Sequence, residues 1–448
     1  MVTEPTRSIR VFDHPSIFDL SADTLLTQVT ELQAQYDVPY LTVTMDWTVD
    51  SGNPGRREAP ESRRSEPSQA DGGSNRAALR EYEQAIQALM DQHGPRGDTF
   101  DALKKCAERI GDWLQNDLDP AASGVYIVSH EPSGTFIATG LNMPVDTRIH
   151  FDTVPRLYQL VRLVEDHPTY AVLQADQENT NLSFVTRGAR DRSVKLESTL
   201  YPRKQQAGAW NQKRYQRRAD ERVEAFARDT ISEVDKALMD TGVDVLILAG
   251  SEVMINALKS VMPNRLKDIV FDQIPMESVV TPEEKIEITL PIAERAERQR
   301  EEESVDRLKS AIGQGGQGVA GVGDVLRALQ TGQADELIMC DTFQASGWGD
   351  YEMHVFGAGD SPKEHPAGGD INNIVEVDLR NELVRLALAS GAKVDIIHST
   401  LPVEDDAPVR SADDPFPKTR ASQELEDMGG VGAVLRYTIT GDAEPKTI

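Results

Sequence analysis

The residues in this sequence best suited to do chemistry lie between Tyr201 and Arg222. Arg203, Lys204, Lys213, Arg214, Arg217, Arg218 and Arg222 gather there against only Asp220 and Glu221, in a chain whose formal net charge is -27. Guanidinium and ammonium groups at that density bind anions, and in a chain that otherwise repels nucleic acid they concentrate phosphate contacts on one segment. Gly208 and Ala209 stand ahead of Gln212, and glycine lets a backbone turn tightly or approach a surface closely. From Tyr215 the positions Tyr215, Ala219, Val223, Ala227, Ile231, Val234 and Leu238 recur every three or four residues. That period predicts a long helix with one inward face, ended by Gly242. Arg214, Arg218 and Arg222 stand four apart on a neighbouring stripe, near a helix N-terminus whose dipole favours negative groups. The competing account is a solvated face, because Arg217 with Glu221 and Glu224 with Arg228 are also spaced to pair along a helix.

The elements that must position this segment flank it. Tyr170–Ala175 and Leu182–Thr186 pattern as two strands joined across Glu178–Asn181, a hairpin that leads into the basic stretch. Val243–Ala249 is an almost unbroken apolar run, as in a strand buried on both faces. Gly250-Ser251 then opens a helix, either as its cap or as an anion site at its start. Upstream, Leu25–Gln35 and Ala77–Asp117 carry helical periods, Tyr40–Met45 a strand period, and Gly124–Ser129 with Thr135–Gly140 a hairpin. Between them Ser51–Asn75 is rich in Pro, Gly and Ser, which predicts a solvated loop whose Arg56, Arg57, Arg63 and Arg64 are a second candidate RNA contact. Downstream, Glu283–Leu308 is a densely charged helix at a hinge between domains. Helix and strand patterns then alternate through Val322–Leu329, Glu336–Cys340, Leu379–Ser390 and Lys393–His398, around an insertion-like segment from Gln344 to Asn372.

A literal Gly315-Gly316-Gln317 lies in the run Gly313–Gly323, but no basic helix follows it and no Gly-Lys-Ser/Thr closes it as a phosphate loop. The segment before Arg222 is therefore the better candidate. Pro202-Arg203-Lys204, the Gly-led turn, Gln212, Arg214-Tyr215 and the charged helix together resemble the central domain of archaeal and eukaryotic class I peptide chain release factors. The spacing in Gly208-Ala209-Trp210-Asn211-Gln212 is similar to that of release-factor-like relatives and of ribosome-quality-control peptidyl-tRNA hydrolases, where extra residues separate the glycines from the glutamine. Gly429-Gly430-Val431-Gly432-Ala433-Val434-Leu435-Arg436-Tyr437 resembles the same family's C-terminal ending. The first region resembles it only in outline, and no Asn-Ile-Lys-Ser codon-reading loop is present.

The resemblance implies an α/β protein of three-domain release-factor-like architecture with mixed sheets, divided at 1–166, 167–292 and 293–448. It implies a ribosome-directed translation factor, a codon-independent peptidyl-tRNA hydrolase in ribosome rescue or quality control. Gln212 would be the catalytic residue and Gly208 the one that lets the loop enter a narrow cavity. Arg203, Lys204, Trp210, Lys213, Arg214, Arg217, Arg218 and Arg222 would contact RNA, with Trp210 stacking on a base. The partners implied are the ribosome and peptidyl-tRNA, with a translational GTPase or recycling ATPase at the C-terminal domain, and neither DNA nor a membrane. Ala209 stands where the family has its second glycine, so a non-hydrolytic ribosome-binding factor, of the hibernation or Pelota-like splitting kind, is the alternative.

Composition sets the setting. No apolar run reaches the roughly 20 residues of a membrane helix and the N-terminus lacks a signal-peptide core, which places the chain in the cytoplasm. Cys106 and Cys340 are far apart and predict two buried thiols, not a disulfide or a metal site. His354, His365 and His398 lack ligand spacing, so no metal and no cofactor is expected. Dispersed Asp and Glu with a sequence pI near 4.7 fit a protein of concentrated salt, in which phosphate contacts weaken as counterion release loses its drive.

Overall fold

Among the described residues four β-sheets, two antiparallel and two of mixed strand orientation, combine with helices in an α/β protein. The computed structural model describes residues 21–48, 75–93, 96–119, 122–141, 144–166, 169–176, 180–186, 212–239, 241–277, 280–313, 316–400 and 417–437. These residues form two compact units, one of residues 166–300 and the other of residues 21–165 and 301–437.

The chain enters the second of these units through α1 (Ser21–Thr30) and β1 (Tyr40–Asp46), and continues through α2 (Asn75–His93), α3 (Asp98–Asn116), β2 (Gly124–His130), β3 (Thr135–Leu141), β4 (Arg148–Asp152) and α4 (Tyr158–Asp166). The sheet order is β3-β2-β1-β4, antiparallel throughout, with Leu41 opposite Ser129 on one side and Phe151 on the other. Leu41, Val43, Met45, Val125 and Ile127 face the helices α2 and α3, while Tyr40, Tyr126 and Val128 face α4 and the C-terminal segment. Burial on both faces is why β1 and β2 carry apolar side chains at both parities. The expected helix over Leu25–Gln35 stops at Thr30, because Gln35 N–H is drawn to the Thr153 carbonyl at 2.9 Å.

The unit of residues 166–300 holds β5 (Thr169–Ala175), β6 (Thr180–Thr186), α5 (Gln212–Leu238), β7 (Leu246–Gly250), α6 (Glu252–Val261), α7 (Asn264–Asp268) and β8 (Val270–Ile274), followed by the first part of α8 (Pro282–Gly313). Its sheet runs β6-β5-β7-β8, with β5, β7 and β8 parallel and β6 antiparallel to β5. The expected hairpin is present, with Thr169 opposite Thr186 and Ala175 opposite Thr180. A reciprocal cap starts α8: Thr281 Oγ1 accepts from Glu284 N–H at 3.2 Å and Glu284 Oε2 accepts from Thr281 N–H at 2.9 Å. This pairing satisfies two amides the helix cannot.

Beyond α8 come β9 (Gly318–Ala320), α9 (Val322–Gln330), β10 (Ala334–Cys340), β11 (Ser346–Asp350), β12 (Val355–Ala358), β13 (Val375–Asp378), α10 (Leu379–Ala389), β14 (Lys393–Ile397), α11 (Arg420–Asp427) and β15 (Val431–Leu435). One sheet is ordered β14-β10-β15-β9 and a smaller one β12-β11-β13. The glycine-rich ending is used for close packing, since a Cβ at Gly432 would lie 2.3 Å from Leu308 Cδ2. Within this unit the N- and C-terminal segments share a core and a set of polar ties. Asn381 Oδ1, on α10, accepts from Leu157 N–H at 2.7 Å and Tyr158 N–H at 3.2 Å, and Arg156 joins Asp152 and Asp378.

Candidate functional site

The candidate site is built on α5, and the reason lies in what its length does. Val223, Phe226, Ala227, Ile231, Val234 and Leu238 pack into a core with Ala171, Leu173, Leu182, Phe184, Leu246 and Leu248 of the sheet and with Met254, Ile255 and Leu258 of α6. The apolar period read in the sequence is the buried face from Val223 onward, and Phe226, three residues after Val223, adds a large ring to it. A helix of 27 residues is about 40 Å long at 1.5 Å per residue. Strands of five to seven residues span only about 17–23 Å. Gly242, at φ 67, ends the turn after α5, and the chain then enters β7 at its start, so α5 runs antiparallel to β7. Residues 212–222 are the first three turns of that helix.

Gln212 is the first residue of α5, and Lys213, Arg214, Arg217, Arg218 and Arg222 follow it within the helix. The helix thus brings six of the ten sequence-derived site residues into its first three turns. The first amides of any helix lack an intrahelical acceptor, and the dipole adds positive potential there. Arg203, Lys204, Gly208 and Trp210 lie outside the described residues, as does the segment 51–74 with its four arginines. Further along α5 the competing account is realised: Arg228 pairs with Glu224 one turn back, and Lys236 Nζ meets Glu233 at 2.8 Å. Exposed pairs of this kind are worth little.

Both faces of the supporting sheet are covered. Opposite α5 and α6, Ile292 and Ala293 of α8 close over Tyr170, Val172, Ile247 and Ala249. Polar groups are buried there too: Tyr170 and Thr289 share a hydrogen bond at 3.0 Å, and Lys285 Nζ donates to Ser183 Oγ at 3.0 Å. Burial raises the Tyr170 hydroxyl to about 12. These groups gave no sequence signal, because a lone Thr or Lys in a charged helix reads as solvated.

Ser251 occupies the cap position of α6, yet its side chain makes no cap bond. Gly250 next to it is needed sterically. Its φ is +135, and a Cβ there would sit 2.0 Å from the Ala175 carbonyl oxygen. In the other unit, Gln317 precedes the short strand β9, and its carbonyl accepts from Leu435 N–H at 2.8 Å. The histidines are held by separate protein groups: His365 Nε2 lies 3.0 Å from Asp350 Oδ2, His398 Nδ1 2.6 Å from Glu301 Oε1, and His354 Nδ1 3.3 Å from the Glu352 carbonyl. Cys106 and Cys340 are both buried free thiols, and burial raises both pKa values.

Residues 155–301, which contain the whole of the β5–β8 unit's described sheet and α5, match the family model of bacterial archaeo-eukaryotic release factor family 10. Over that stretch, about a third of its length, the chain is similar to this release-factor family. Solved structures similar to it include the archaeal translation termination factor aRF1, at 17% identity over 93% of this chain and 98% of that one, with a TM-score of 0.25. Archaeoglobus fulgidus Pelota is similar at 17% identity over 72% of this chain and 82% of that one, TM-score 0.27. Dom34 of S. cerevisiae, a translation termination-like factor, is similar at 12% identity over 71% and 80%, TM-score 0.37. Superpositions this loose carry no functional weight. No curated protein matches the chain. Among the described residues no helix is long and apolar enough to cross a membrane.

Proposed function

We propose that this release-factor-like chain is a cytoplasmic, ribosome-directed translation factor that hydrolyses the ester of ribosome-bound peptidyl-tRNA without reading a codon. The observation that carries the reading is the position of Gln212, first in a helix whose opening turns hold Lys213, Arg214, Arg217, Arg218 and Arg222. Release is attack by water on an ester through a tetrahedral oxyanion, and it needs donors where the negative charge develops and one positioned water, not a strong base. The amide of Gln212 is among those a helix start leaves without an internal acceptor. That amide stabilises the oxyanion, the Gln212 side chain orders the water, and Gly208 lets the loop enter the site. Arg203, Lys204, Lys213, Arg214, Arg217, Arg218 and Arg222 hold RNA phosphate, and Trp210 stacks on a base. The three segments 1–166, 167–292 and 293–448 act as domains, the last docking a translational GTPase or recycling ATPase. The acidic composition suits work in concentrated salt.

The test uses stalled ribosomes carrying labelled peptidyl-tRNA with a stop codon, a sense codon or an empty A site. Each receives wild-type protein or Gln212→Ala. Similar release on all three that collapses with the substitution is the expected result. Ribosome binding with no release by either protein would establish the non-hydrolytic reading that Ala209 favours, and release confined to the stop codon would restore codon recognition to the first segment.

A further inference from the structure

A groove of about 410 Å³ runs between α2 and α3, on the sheet face opposite α1 and α4. Its floor is apolar. Tyr82 and Ile86 of α2 and Ala107 of α3 are buried in it, and the Tyr82 hydroxyl donates to the Ala107 carbonyl at 2.8 Å, which fixes the ring. Gly111 keeps that floor open. A Cβ there would find only Tyr82 Cε1, at 3.8 Å, an ordinary contact. Glycine destabilises a helix interior relative to alanine, so internal packing gives no reason for the missing side chain.

The rim is acidic. Glu83, Glu108 and Asp112 line it against one cation, Lys104, which lies 3.9 Å from Glu108. An apolar floor within carboxylates repels nucleic-acid phosphate and attracts apolar side chains flanked by cations. A second copy of this chain, at -27, is a poor electrostatic match. We propose that the α2–α3 groove docks a basic protein segment that presents large apolar side chains at helical spacing, the helix-in-groove mode of recognition. It gives the first segment of the chain a protein contact, independent of any chemistry at Gln212.

The experiment titrates the full chain with a labelled amphipathic Leu/Lys helical peptide, its Leu/Glu counterpart and a Ser/Lys peptide without apolar side chains. Wild type, Gly111→Leu and the double variant Glu108→Lys with Asp112→Lys are compared, each checked for an unchanged melting curve. The Leu/Lys peptide binds wild type at least about tenfold tighter than either control, and both variants lose about that factor. Should Gly111→Leu fold poorly, Gln87→Trp at the groove mouth serves in its place. Equal binding of the Ser/Lys peptide would reduce the effect to bulk charge, and full binding by Gly111→Leu would move the site elsewhere. Self-association or RNA binding that depends on Gly111 would assign the groove to a different occupant and overturn the proposal.

Discussion

Gln212 and Gln317 each follow a glycine-led stretch, and the elements they enter differ. Gln317 stands in the literal Gly-Gly-Gln string, but it precedes a three-residue strand at the end of a sheet and its carbonyl is tied to Leu435. Gln212 stands behind Gly208, Ala209, Trp210 and Asn211 and opens a helix of 27 residues. A short run of residue types acquires a role from the element that follows it. A strand that must pair commits its backbone groups to the sheet, whereas a helix start leaves amides over for an external acceptor.

The sharpest way to break the comparison is to remove each glutamine in turn. Gln212→Ala lowers the rate of peptide release by about 10²-fold, the scale of losing one oxyanion-site group. Gln317→Ala leaves release within about twofold and melting nearly unchanged, as for an exposed side chain away from special features. Single-turnover release from stalled ribosomes measures both, and equal losses would end the distinction drawn here. Second in size is ribosome affinity. Reversing Arg214 and Arg218 to Glu weakens co-sedimentation with ribosomes by at least about tenfold at working salt and flattens its salt dependence. Unchanged sedimentation would make the arginines a solvated face, as Glu224 and Arg228 already are further along α5.

The glycines sharpen the same contrast on stability. Gly250→Ala forces a Cβ to within 2.0 Å of the Ala175 carbonyl, at a φ that L residues avoid. The β5–β7 pairing must open, at about 3 kcal/mol or more. Gly316, also at positive φ but exposed, costs about 1 kcal/mol on the same change. Denaturant melts of the two variants decide it, and similar midpoints would mean the sheet edge at Gly250 yields.

What the sequence disclosed follows from whether a signal was local. The α5 period, the Gly124–Gly140 hairpin and the Tyr170–Thr186 hairpin are local patterns, and they stand as expected. β11, whose SGWGD has two glycines and no β-branched residue, carried too little β signal, whereas RIHFD of β4 is a polar-apolar alternation only five residues long. Pairing to β1 and to β13 makes them strands. Asn381 is the plainest non-local case. Nothing in LRNELVRLALA marks it, yet it is 4% exposed and holds two amides from 224 and 223 residues away. Asn381→Leu leaves both donors buried without a partner and lowers the stability of the unit that holds Gln317 by about 2–3 kcal/mol. Chemical denaturation measures it, and a neutral result would show that the Leu157–Tyr158 turn finds other acceptors.

The smallest expected effect appears only in acid, and it belongs to the same unit. Asp350 is fully buried. Burial alone would raise its pKa, but the N–H groups of Met353 and Glu352 at 3.0 and 2.8 Å and the His365 ring at 3.0 Å outweigh it and hold the carboxyl below its usual range. A carboxylate whose folded pKa is depressed contributes stability that is fully present above its unfolded pKa, near 3.9, and is lost as pH falls through the folded value. Asp350→Asn removes that dependence. The variant is less stable than wild type at neutral pH, and the gap narrows as pH is lowered below about 4. Melts from neutral pH down into that range, followed by the buried Trp348 on the neighbouring β11 position, report it. A gap that stays constant with pH would mean that the carboxylate's charge is not what holds the loop at Met353.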